Sequence, residues 1–206
     1  MVRQPGEEAL RPFTLDRLEE LYRGLPEGSL VRHDVDVSLD AAKSMAVWEH
    51  SLGFTSTYYL MQRNPWHTAN DRDTTATLLI ALGHQVGVHL DPRARTPYTW
   101  AEGRSPIRSP GPLKLSIHCP EPCWLWKDLW GNMDYAYHPK WKNRYYADSR
   151  GRFDHGDPED WVDDGKPIQV SLHPEWWFEP DWIHRHRITP EQYQAHFHEP
   201  IGRLDG

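Results

Sequence analysis

Cysteine is scarce in this chain, with two in 206 residues. That excludes a scaffold built on disulfides, which needs several bridges. Positive charge is also in short supply. Lys and Arg number 23 against 30 Asp and Glu, a formal charge of −7. With no basic run to offset that, general binding to a nucleic-acid backbone is excluded. No apolar stretch approaches the ~20 residues of a transmembrane helix. Met1 to Glu8 lacks the apolar segment of a secretory signal. These absences predict a cytoplasmic protein without a membrane or nucleic-acid partner, and the length predicts a single domain over 1–206.

Aromatic residues are abundant instead. Eleven Trp stand beside 14 Gly and 18 Pro. A mean hydropathy of −0.79 leaves few aliphatic residues for a core, so large rings must build it, line a sugar-stacking cleft, or do both. The same rings argue against disorder.

Along the chain, strand and helix patterns alternate. Thr14 caps a helix whose stripe is Leu15, Leu18, Leu21 and Tyr22. Ser29–His33 reads as a strand running into Asp34-Val35-Asp36. Ser38-Leu39-Asp40 opens a second helix that Gly53 closes, and residues 54–61 form a strand. Asp71–Leu82 is helical, and Gln85–Leu90 is a strand. Residues 92–112, with five Pro, read as loop. Leu113–His118 and Ile168–His173 are further strands, separated by an irregular segment rich in Trp and Tyr. Pro190–His198 is predicted as a last helix. This rhythm predicts an α/β fold with a parallel sheet and crossover helices.

Four strands end on residues able to bind a metal or move a proton: Asp34/Asp36, His89, His118 and His173. The carboxyl ends of parallel strands share one rim, so these side chains are expected to converge. Carboxylate oxygen with imidazole nitrogen suits Zn²⁺ or another first-row divalent ion. Each residue also has a plainer reading. Asp36 or Ser38 can cap the second helix, and a lone strand-end His is commonly structural. Cys119 and Cys123 flank Pro120-Glu121-Pro122 but lack a second Cys pair for a zinc knuckle, so they read as free thiols.

At these motifs the chain resembles the polysaccharide deacetylase (NodB-homology) superfamily, in its branch with an Arg-His-Asp-Val-Asp signature. The resemblance rests on Val31–Ser38, Gly53–Tyr59, Gly83–His89, Ser116–Pro120, Tyr145–Phe153 and Val170–Trp177. It implies a distorted, incomplete, trimmed parallel β/α barrel over about residues 29–177, with 178–206 as a C-terminal extension. It further implies a hydrolase that removes an N-acetyl or other acyl group from an amino sugar or glycan, using one divalent metal ion, Zn²⁺ above others. On this resemblance Asp34 is the base, Asp36, His89 and His118 are the ligands, and His173 is the acid. Asp34 and Asp36 are able to exchange roles. Arg32, Asp148, Arg150, Trp176 and Trp177 fall on the substrate side, Asp148 or Arg150 also being placed to orient His173. Two alternatives stay open: a metal-dependent hydrolase of a non-sugar amide, and an inactive carbohydrate-binding homologue. The chain departs from the family where Arg93 replaces a second motif His, and where an Arg-x-Pro-Tyr motif is missing.

Overall fold

The computed structural model describes residues 13–61, 67–90, 114–117, 134–135, 141, 144–148, 153 and 165–179. The predicted loop at 92–112, the predicted helix at 190–198, and Cys119, Cys123, His118 and Arg150 lie outside them.

Helix α1 (Leu15–Gly24) starts where the Thr14 side chain accepts the Arg17 N–H, and it buries Leu18 and Tyr22. Strand β1 (Leu30–Val35) follows. It is longer than the sequence suggested: Asp34 lies within the strand, and Asp36 just past its end. Ser38 caps α2 (Leu39–Ser51) through the Ala41 N–H. That settles the two capping readings, since Ser38 does the capping and Asp36 is left for other contacts. Gly53, at φ +79°, lets the chain turn toward β2 (Thr57–Met61). Helix α3 (Ala69–Ala81) starts earlier than Asp71, because Thr68 and Asp71 form a reciprocal capping box.

Beyond it come β3 (Gln85–Leu90), β4 (Lys114–Ile117), β5 (Asp134–Tyr135), β6 (Tyr145–Ala147), β7 (Gln169–Leu172) and α4 (Pro174–Phe178). Both β5 and β6 come from the stretch read as irregular. Each is too short to give a periodic signal and exists by pairing with a neighbour.

Among the described residues seven strands form one sheet in the order β5-β4-β3-β2-β1-β7-β6, and their pairings are parallel. The molecule is therefore α/β, as the rhythm predicted. Among the described residues no helix is long and apolar enough to cross a membrane.

The strand pleat sorts side chains onto two faces. Outward, Val31, Val170 and Leu172 pack with Leu18, Tyr22, Met45 and Trp177. Val35, Tyr58, Leu60 and Val86 pack with Leu39, Ala42, Ala46, Ala76 and Leu79. The four helices thus cover this face. The opposite face carries Arg32, Asp34, Tyr59, Gly87, Ser116, Tyr145, Gln169 and Ser171. A sheet curls when its inner side chains meet across several strands, and these do. The Ser116 hydroxyl donates to Asp34 Oδ1 at 3.1 Å although β2 and β3 lie between their strands. In a flat sheet those strands would be about 14 Å apart. Two short side chains and a hydrogen bond span no more than about 9 Å.

Gly87 makes that curl possible. A Cβ there would meet the Tyr59 ring at 2.7 Å and Lys114 Cβ at 2.9 Å. Gly87→Ala is expected to lower stability by about 1–3 kcal/mol, the usual cost of overpacking, read as a lower midpoint in urea. An unchanged midpoint would show that the Tyr59 ring moves aside freely.

Candidate functional site

The motif Arg32-His33-Asp34-Val35-Asp36 divides by pleat. Arg32, Asp34 and Asp36 share the inner phase, whereas His33 and Val35 point to the helices. Arg32 is fully buried. Its guanidinium donates to Asp34 Oδ2 at 2.9 Å, to Ser116 Oγ at 3.1 Å and to the Tyr145 hydroxyl at 3.1 Å. The rings of Tyr59 and Tyr145 stand 5.8 and 5.2 Å from its central carbon, close enough for cation–π attraction. Arg32 was expected on the substrate side. It forms the floor beneath Asp34 instead.

Asp34 also accepts the Ser171 hydroxyl at 3.1 Å, so Arg32, Ser116 and Ser171 all serve it. Burial alone would raise its pKa. The positive charge of Arg32, with His89 and His173, outweighs burial and holds it below 3.8. Asp34 is a stabilised anion and hence a weak base.

Asp36, 1% exposed, lies at the rim between two imidazoles. Its Oδ1 is 3.1 Å from His89 Nε2, and its Oδ2 is 3.7 Å from His173 Nε2. His89 Nδ1 is in turn 4.0 Å from Asp34 Oδ1. Residues from β1, β3 and the end of β7 have thus been brought to one rim, as their strand-end positions predicted.

His173 is held from behind. Its Nδ1 is 2.6 Å from Asp148 Oδ1, and its backbone N–H donates to the same carboxylate at 3.0 Å. Burial disfavours the imidazolium, but the charge and hydrogen bond of Asp148, with Asp36 adding to them, raise the His173 pKa well above 6.5. Asp148, fully buried, also accepts the Trp177 indole N–H at 2.8 Å. Trp176 and Trp177 were expected on the substrate side. They occupy α4 instead, with Trp177 in the core and Trp176 packed against it. The sequence Pro174-Glu175-Trp176 explains the change, since Pro is favoured at a first helical position.

Glu175 adds a carboxyl that sequence reading missed. It is 2% exposed, and among the described residues neither carboxyl oxygen has a hydrogen-bond partner. Burial first, then the charges of Asp36 and Asp148, push its pKa to about 8 against the opposing pull of His173.

Behind the sheet lies a second polar cluster. Glu49 of α2 accepts from Ser56 Oγ at 2.7 Å and the Tyr58 hydroxyl at 2.6 Å, and it also accepts the Tyr22 hydroxyl. His33 Nε2 is 2.7 Å from the same carboxylate. Burial works against its charge, yet His33 and these donors bring the Glu49 pKa down to about 2. The cluster ties α1, α2, β1 and β2 together, and through His33 it fixes which face of β1 bears Arg32 and Asp34.

Asp36 and His89 offer the oxygen and nitrogen donors of a divalent first-row ion. Two ligands at tetrahedral angles, each ~2.0–2.1 Å from a zinc ion, stand about 3.3 Å apart. The separation of 3.1 Å between Asp36 Oδ1 and His89 Nε2 suits such a shared ion. Among the described residues, no group of three or more His, Cys, Asp or Glu is arranged to hold a metal. The sequence-predicted third ligand, His118, lies outside them, as does Arg150. Comparison of the chain with protein-family models, with curated proteins and with solved structures gives no match.

Proposed function

We propose that this protein is a metal-dependent hydrolase that removes an N-acetyl or other acyl group from an amino sugar or glycan. In this reading the curled sheet is a trimmed, incomplete barrel of the NodB type. The observation carrying it is the meeting of His89 and His173 at the Asp36 carboxylate, 3.1 and 3.7 Å from its two oxygens, with Asp34 two residues before it on the same face of β1. Charge supports it as well. Around this rim the carboxylates of Asp34, Asp36 and Asp148 outnumber the cationic Arg32 and His173, so a bound cation completes the balance.

Asp36 and His89 would hold the ion, with His118 as third ligand. A divalent ion there supplies Lewis acidity toward an acyl carbonyl and toward water. The chain's own groups perform the proton transfers. Asp34 takes the proton of the attacking water, and Asp36 is the alternative base if the two exchange roles. So stabilised an anion is a poor base toward ordinary water and needs the acidity that an ion held there would supply. His173, protonated through Asp148, gives its Nε2 proton to the departing nitrogen, because an unprotonated amide nitrogen is a very poor leaving group. The alternative of a carbohydrate-binding module resting on Trp residues draws no support from Trp141 and Trp177, which are both buried.

Metal analysis tests this directly. The purified chain, loaded with Zn²⁺ and freed of excess, is expected to retain about one equivalent, and His89→Ala to retain much less. The wild type should release acetate from N-acetylglucosamine oligomers. A folded wild type that neither keeps metal nor releases acetate would remove the hydrolase reading.

A further inference from the structure

Asp36 and His173 stand past the point where their two strands are joined. Strands β1 and β7 pair from Leu30 with Gln169 to His33 with Leu172. Both rim residues lie beyond that last pair, yet Asp36 Oδ2 comes within 3.7 Å of His173 Nε2. The width of this gap is therefore set by contacts beyond the strand ends.

One hydrogen bond is placed to set it. Ser38, two residues after Asp36, caps α2 by accepting the Ala41 N–H at 3.0 Å. Its own proton goes to Glu179, whose Oε2 accepts the Ser38 hydroxyl at 2.6 Å. Glu179 closes α4, and His173 is the residue that opens it. Within that short helix the Trp176 N–H donates to the His173 carbonyl at 3.1 Å, and the Glu179 N–H to the Glu175 carbonyl at 3.0 Å. The segment bearing Asp36 is thus tied to the helix that begins at His173. The same two helices also touch through Trp48 and Phe178, with ring centres 6.2 Å apart. Apolar packing is non-directional and holds helices together without fixing their offset. A hydrogen bond to a carboxylate is short and directional, and it does fix the offset. A negative charge also suits the start of α2, the positive end of the helix dipole.

We propose that Glu179 is a positioning residue: through Ser38 it holds the Asp36 carboxylate and the His173 imidazole at the separation that turnover requires. This rests on the hydrolase reading and adds to it a residue acting through two others.

The test compares wild type, Glu179→Ala, Glu179→Gln, Ser38→Ala and the double alanine variant. Each is measured for kcat and KM on an N-acetylglucosamine oligomer, for zinc content and for Tm. Hydrogen exchange of the amides at 176 and 179 is followed in metal-free protein. Glu179→Ala is expected to lower kcat about 10- to 100-fold, approaching the cost of a 1 Å misplacement, with KM and zinc content unchanged. Both amides should exchange faster, because α4 has lost its tether. Glu179→Gln keeps an acceptor oxygen for Ser38 and should recover most of kcat. Ser38→Ala also loses the cap of α2, so its Tm should fall further than that of Glu179→Ala for a similar loss of kcat. The double variant should be no slower than the slower single one, since both changes break one bond. The role is overturned if Glu179→Ala leaves kcat or exchange unchanged, or if Glu179→Gln does not relieve the loss. It is overturned equally if the single losses multiply, or if kcat falls in step with Tm across the set. Each of these leaves the hydrolase reading standing. A wild type that releases no acetate removes that reading, and this role with it.

Discussion

Asp34→Asn is expected to cut turnover steeply and to destabilise the fold by about 3–5 kcal/mol, the cost of leaving one member of a buried ion pair behind. The Arg32 side chain has no exposure and that of Asp34 only 6%, so water cannot take the place of the lost charge. An amide in this position keeps a single acceptor oxygen. It then confronts Arg32, Ser116 and Ser171 with two N–H groups of its own. The loss in kcat should be about 10²–10⁴-fold, the range for a missing general base. Urea melts and acetate release measure the two effects separately. The double replacement Arg32→Met with Asp34→Leu removes both charges and should recover part of the stability, although the two serine hydroxyls then lose their acceptor. It should recover no activity. Acid gives a further check. The Asp34 pKa is lowered from 3.8 in the folded state, so its contribution to stability is complete above that value and fades as pH falls through the lower, folded one. The gap between wild type and Asp34→Asn should therefore narrow in strong acid. If the variant melts with the wild type at neutral pH, the buried pair is not holding the inner face together.

The rim was legible in the sequence because strand ends and pleat phase are local properties. Asp34 and Asp36, His89 and His173 each follow a run of β-forming residues, and parallel pairing brings their ends to one side. The layer beneath the rim was legible in principle too. Two residues before His89, His118 and His173 stand Gly87, Ser116 and Ser171, which the pleat places on the same inner face. Small residues there let Arg32 and Asp34 occupy the middle, and a period-two reading upstream of each rim residue would have found them. Other features depended on how far the sheet curls, which no single strand encodes. Arg32 looked like a substrate contact until Tyr59, Ser116 and Tyr145 closed around it. Glu49 and His33 are separated by 16 positions in the chain, and neither carries a signal that the other will be its partner. Trp176 and Trp177 were misplaced for a local reason, since a strand pattern ending at His173 gives no warning that Pro174 will start a helix.

Asp148→Asn should separate proton delivery from folding more cleanly than any change at Asp34. An asparagine oxygen can still accept the Trp177 indole N–H or the His173 backbone N–H, both of which now bind the carboxylate. The fold should survive with a loss of about 1–3 kcal/mol. What the amide cannot supply is negative charge beside His173 Nδ1. The His173 pKa, raised well above 6.5 chiefly by Asp148 against the effect of burial, should fall back. The acidic form of His173 exists below its folded pKa, so activity dependent on it is lost as pH rises through that value. In the variant the alkaline limb of kcat should therefore move to lower pH, with kcat at neutral pH down about 10²–10⁴-fold. Stability follows the same sign: the pairing contributes fully below about 6.5, the unfolded value, and is lost as pH rises through the folded one. Wild type and variant should thus differ most in their melts on the acid side of that window. A variant with reduced activity but an unmoved alkaline limb would mean that Asp148 only positions the ring, and that another group delivers the proton.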